Sequence, residues 1–96
     1  MYARLVRYAI EPDRIDEALG AFREAGRELA QLEGFQGGHV LVDADAGTLL
    51  TFALWKDRAA LDKSEVRAAS LRQRALRSVD GEVQSVVCYE VPFELG

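Results

Sequence analysis

Ninety-six residues, 49% of them hydrophobic and 29% charged, describe one globular domain over residues 1–96 and leave no room for a second core. Twelve Lys and Arg against sixteen Asp and Glu give a net charge of -4, which repels a phosphate backbone and argues against nucleic acid as a partner. One cysteine and one histidine exclude a disulfide framework and a structural zinc site, and no apolar run reaches membrane-spanning length, so a cytoplasmic protein with no metal is expected.

Residues 2–10, rich in Tyr, Val, Leu and Ile, predict a strand closed by Glu11-Pro12-Asp13, where a proline and an N-cap residue type favour a helix start. From Ile15 the apolar positions Ile15, Ala18, Leu19, Phe22, Ala25, Gly26, Leu29 and Leu32 repeat every 3.6 residues, which predicts a helix of about five turns. Gly34 stops it. Residues 35–42 predict a second strand, residues 43–47 a turn and residues 48–56 a third strand, together a hairpin. Residues 57–62 read as a short helical turn, and Ser64 with Glu65 opens a longer helix to about Val79 that Asp80-Gly81 ends. Residues 82–91 predict the last strand, closed by Pro92.

The order β-α-β-β-α-β is the split βαβ arrangement of ferredoxin-like folds, an α+β class with two helices on one face of a four-stranded antiparallel sheet. The third strand (Leu49, Leu50, Thr51, Phe52, Ala53, Leu54, Trp55) and the fourth (Val83, Val86, Val87, Cys88, Tyr89, Val91) carry apolar residues on both faces. Two helices cover only one face. A second copy packed sheet to sheet is the expected cover, giving a homodimer, since a domain this short buries little more than ~60% of its unfolded surface.

No GxGxxG, P-loop, GxSxG or HExxH motif is present, and the chain has no asparagine. Trp55, at the end of the third strand with Thr51 and Ala53 on its own face, either fills core volume or borders a pocket for a planar ligand. Arg72 falls inside the apolar stripe of Ala69, Leu71, Ala75, Leu76 and Val79 and points inward, where it needs a carboxylate of this protein, an ionised substrate, or an edge position over which its stem snorkels. Arg67, Arg74 and Arg77 form a solvated face. His39 is of the one residue type that ordinarily titrates near neutrality, which makes it a candidate general base if the strand register turns it toward the helices. Placed with Phe52 instead, it is structural. Tyr2, Tyr8 and Tyr89 are either candidate hydrogen-bond donors to a phenolate or the core residues that strand tyrosines commonly are, and Cys88 reads as a small buried apolar residue.

The Glu33-Gly34-Phe35 lead-in to the second strand, the Val42-Asp43-Ala44-Asp45-Ala46-Gly47 hairpin, Leu54-Trp55, the Ala-rich segment with Ser64-Glu65 and the closing Tyr89-Glu90-Val91 resemble the antibiotic biosynthesis monooxygenase family. The resemblance spans nearly the whole chain and implies a dimeric α+β barrel with one pocket per subunit between sheet and helices, often using oxygen with no metal or flavin. The likeness to its anthrone-oxidising members implies a pocket tryptophan at Trp55 and, after a gap, a second-helix arginine at Arg72. The family's pocket asparagine falls at Thr51 and its pocket tyrosine at Leu61. Of the asparagine, tryptophan and histidine of haem-degrading members only the tryptophan is kept, which argues against haem.

Two functions follow. One is a cofactor-independent monooxygenase acting on a small planar phenol, hydroquinone or anthrone, with His39 and Arg72 as catalytic residues and Trp55, Thr51, Leu61 and Tyr89 binding the substrate. The other is a non-catalytic small-ligand-binding or isomerase-type dimer on the same scaffold. An RNA-recognition module shares the strand order, but the third strand lacks its basic, aromatic setting.

Overall fold

Residues 1–96 are described by a computed structural model, in which β1 (Tyr2–Ala9) leads through a 3-10 turn at Pro12–Arg14 into α1 (Ile15–Leu29). The hairpin of β2 (Phe35–Asp43) and β3 (Thr48–Trp55), the helix α2 (Arg58–Arg77) and β4 (Glu82–Glu90) follow. All strand pairings are antiparallel in the order β2-β3-β1-β4, the ferredoxin-like βαββαβ arrangement with both helices on one face. No helix is long and apolar enough to cross a membrane.

Two helix boundaries differ from the expected ones. The helical period runs on to Leu32, yet α1 stops at Leu29 and tight turns follow, closed by Leu32 N–H to Leu29 O at 3.1 Å and Phe35 N–H to Leu32 O at 3.2 Å. Leu32 packs on the core from a turn, so it satisfies the period without being helical. Gly34 has a φ of 86°, and a Cβ there would collide with the Ala60 side chain, so both the turn and the close approach of α2 require glycine. The break expected before Ser64 does not occur. Asp57 caps one continuous helix by accepting the Ala60 N–H at 2.8 Å, and Ser64 is buried within it.

Pairing fixes the faces. Val6, Tyr8, Leu49, Thr51, Ala53 and Trp55 turn toward the helices, and Val6, Tyr8 and Leu49 join Phe22 of α1 and Leu71 of α2 in the larger core cluster. Ala53, Trp55, Ala60 and Leu61 form a second, smaller cluster where α2 begins. The opposite face carries Leu5, Leu50, Phe52 and Leu54 in the centre, with Leu41, Val87 and Tyr89 toward the edges, 49%, 39% and 53% exposed. Cys88 is exposed, contrary to the sequence reading, because β4 is an edge strand that neither helix covers.

Candidate functional site

A pocket of about 190 Å³ lies between the helices and the sheet, walled mainly by hydrophobic side chains of β1, β2, β3, α1 and α2. Strand alternation puts Tyr8 and Thr51 into it from adjacent strands, and their hydroxyls lie 3.2 Å apart. Tyr8 is 2% exposed, with its ring 4.8 Å from that of Phe22 at a 55° tilt. Burial pushes its phenol above the ordinary value of 10.0, against the opposing pull of the Thr51 hydrogen bond and of the Arg72 and Arg4 charges. Tyr8 is therefore a neutral phenol, able to donate a hydrogen bond at physiological pH.

Arg72 enters from α2, half-buried on the pocket wall, and has no carboxylate partner in the chain. Arg67 and Arg74, on the outer side of the helix, both bind Glu28 of α1, Arg67 at 2.7 Å. Arg72, which faces the pocket, is thus free to meet an anion from outside.

Arg4 is a functional candidate that the sequence reading missed. It is 3% exposed, lines the pocket, and donates to Ser64 Oγ at 3.1 Å, to Leu61 O at 3.1 Å and to Glu65 Oε2 at 2.9 Å. Its guanidinium lies 5.9 Å from the Trp55 ring centroid, and its Nε has no partner. Parity was the available signal, because Arg4 alternates with Val6 and Tyr8 on the helix-facing side of β1. No acidic side chain lines the pocket.

The other expected residues are dispersed. Trp55 is fully buried with an unpartnered Nε1 and lies behind the wall, edge-on to Phe35 at 5.6 Å and 79°, so Phe35 rather than Trp55 lines the pocket. Leu61 is buried in the same small cluster, held there by the first turn of α2, and does not line the pocket. His39 lies on the strand segment that bounds the pocket, but it pairs with Phe52 and its ring stacks on that of Phe52, 6.3 Å apart and 8° from parallel, on the helix-free face. The hairpin turn sets this register, since pairing runs unbroken from Asp43 opposite Thr48 to Gly37 opposite Leu54, and the bulge between Phe35 and Gly37 shifts only Phe35, which pairs with Trp55. Tyr89 pairs with Ala3 and lies on the helix-free face as well, away from the pocket. Of the named residues, Thr51 and Arg72 come together, and Tyr8 is the tyrosine that joins them.

The model of the antibiotic biosynthesis monooxygenase family matches residues 1–75. No curated protein sequence matches the chain. Among solved structures, a protein of Deinococcus radiodurans superposes with a TM-score of 0.80 at 13% identity, covering 100% of this chain and 97% of that one. SnoaB, a cofactor-independent oxygenase from Streptomyces nogalater, gives 0.77 at 17% identity over 98% of this chain and 95% of its own. Rv0793 from Mycobacterium tuberculosis gives 0.74 at 18% identity, covering 99% and 98%. At these identities the likeness establishes the fold.

Proposed function

This chain belongs to the antibiotic biosynthesis monooxygenase family, and we propose that it is a homodimeric, cofactor-independent monooxygenase of a small planar phenol, hydroquinone or anthrone. The observation that carries this reading is the pocket itself, apolar on most of its wall, with a neutral phenol, a threonine hydroxyl and the unpaired guanidinium of Arg72 beside the already engaged guanidinium of Arg4, and no carboxylate. Oxygenation without a cofactor needs a substrate anion rich enough in electrons to pass one to oxygen. Arg72 and Tyr8 stabilise such an oxyanion by charge and hydrogen bonding, and the apolar walls exclude water so that both act at full strength.

With the His39 ring on the far face, the anion forms through the acidity of the substrate itself, raised by Arg72. For a methylene flanked by aromatic rings the reaction balances with one oxygen atom entering as a carbonyl and the other leaving as water with both methylene hydrogens. Thr51 orients Tyr8, and Trp55 supports Phe35 from behind. SnoaB, whose fold this chain shares, is a cofactor-independent oxygenase, which supports the same chemistry here.

Oxygen uptake decides the matter, measured with a panel of hydroquinones and anthrones in chelator-treated, flavin-free buffer, with product analysis under air and under nitrogen. Oxygen consumption with one carbonyl formed per oxygen molecule supports the proposal. Binding of the same compounds with no oxygen consumed sinks it and supports a ligand-binding dimer, the reading favoured by the engagement of Thr51 with Tyr8 and by the absence of the His39 ring from the pocket.

A further inference from the structure

Glycine within a helix costs stability relative to alanine unless a positive φ or a close neighbour demands it. Gly26 of α1 has neither. Its φ is not positive, and a Cβ built on it meets nothing within 4 Å, so no helix or strand approaches closely enough to require the missing side chain. The residue nevertheless lies in the pocket wall, within the stripe formed by Phe22, Ala25 and Leu29. At ~100° per residue it points about 40° from Phe22 and about 60° from Leu29, well inside the inward-facing arc. The open space in front of Gly26 is the pocket. Gly20, also free of neighbours within 4 Å, is exposed and lies about 160° from Phe22, so it faces solvent.

The facing surfaces are small as well. Ala68 of α2 and Ala53 of β3 leave a slot whose length runs from Thr51 to Phe35, which pairs with Trp55 four residues further along β3, about 13 Å of strand. Tyr8, Thr51 and Arg72 stand at one end; Arg4 pairs with Ala53 halfway along, but its guanidinium is drawn toward the other end by Ser64, Leu61 and Glu65, 5.9 Å from the Trp55 ring, which leaves the middle without a free polar group. A one-ring ligand held by Arg72 would leave the middle of the slot empty. A fused planar system fills it, and Gly26 is where the added ring passes.

We propose that Gly26 is the specificity-determining residue of this pocket, its missing side chain admitting a fused-ring ligand where a larger residue would restrict the site to a single ring. The inference rests on the reading of the pocket as the binding site for a planar aromatic, and it does not require turnover. Binding is measured by calorimetry with dihydroxyanthraquinone as the fused-ring probe and methylhydroquinone, under nitrogen, as the single-ring probe. The proteins compared are wild type, Gly26→Ala, Gly26→Leu and Gly20→Ala, each with its thermal melt.

Gly20→Ala and Gly26→Ala should both melt several degrees above wild type, as helix propensity dictates. Gly26→Leu should weaken the fused-ring probe at least 10-fold and the single-ring probe less than 2-fold, with Gly26→Ala intermediate and Gly20→Ala unchanged for both. Equal loss of both probes, retention of the fused-ring probe by Gly26→Leu, or no fused-ring binding by wild type overturns the inference. Should Gly26→Leu fail to fold, the graded loss in Gly26→Ala alone carries the test, and its absence overturns the inference. Selective binding in a protein that consumes no oxygen leaves this inference standing while the oxygenase reading falls.

Discussion

At the scale of single residues, the pocket depends on side chains whose chemistry is set by what surrounds them. Arg72 has no carboxylate of its own, so its planar fork is available for an incoming oxygen, whereas Arg4 already spends three donor contacts inside the fold. Arg72→Lys keeps the charge and loses the fork. Ligand affinity should fall about 10-fold or more, within the ~1.5–3 kcal/mol of a hydrogen bond to a charged group, with an unchanged melt. Unaltered affinity by calorimetry would remove Arg72 from the site.

Tyr8 gives a pH dependence of definite sign. Its folded pKa is raised by burial, so the folded state holds the phenolic proton more tightly than the unfolded chain does. The stabilisation is complete below pH 10 and is lost as the pH climbs from there through the folded pKa, at no more than about 1.4 kcal/mol per unit. Urea melts of wild type and Tyr8→Phe at pH 8, 9, 10 and 11 should therefore differ by a constant amount up to pH 10 and by a changing amount above it, as wild type loses stability faster. A difference that stays constant to pH 11 would show that the Tyr8 phenol is not held in this way.

At the scale of elements, one buried arginine ties a strand to a helix. Ser64 Oγ accepts from Arg4 and donates to Leu61 O at 2.7 Å, so a residue placed like a helix cap works instead as the joint between β1 and α2. Ser64→Ala leaves an Arg4 N–H buried without an acceptor and should cost about 1–3 kcal/mol in a denaturant titration. A cost below about 0.5 kcal/mol would mean that the guanidinium finds another partner. The same joint accounts for an inward charge that the binary pattern of β1 marks as an error: Arg4 shares the parity of Val6 and Tyr8 and is satisfied by α2, with Glu65 offsetting its charge at the surface.

At the scale of the whole molecule, the helix-free face is unfinished in a single chain. Leu41 and Val87 are 49% and 39% exposed there, beside Leu5, Phe52 and the His39 ring, on a face that β-strand alternation makes continuous across all four strands. Light scattering at micromolar concentration should report a dimer. The double variant Leu41→Lys, Val87→Lys should report a monomer, because paired like charges would be brought into a desolvated interface of about 1,600 Å². A wild-type monomer would overturn the homodimer. His39→Ala belongs to the same test: its effect should fall on dimer dissociation, with turnover per folded dimer retained.

The sequence by itself determined the element order, the ferredoxin-like class, the doubly apolar strands and the inward direction of Arg72, since each rests on a local period or on the geometry of neighbouring residues. The continuity of α2 was hidden because Ser64 and Glu65 look the same as a helix start and as the interior partners of a distant arginine. Which residues meet in the pocket was decided by tertiary structure alone. His39 joins Phe52 rather than Thr51 because the hairpin turn pairs Asp43 with Thr48 and the ladder runs from there without a break, and a turn one residue different would exchange the faces. Trp55 and Leu61 withdraw into a second cluster, Tyr89 turns to the open face, and Tyr8 and Arg4 take up the pocket. Strand side chains are assigned to a face by the register in which strands pair, and neither composition nor the period along a single strand records that register.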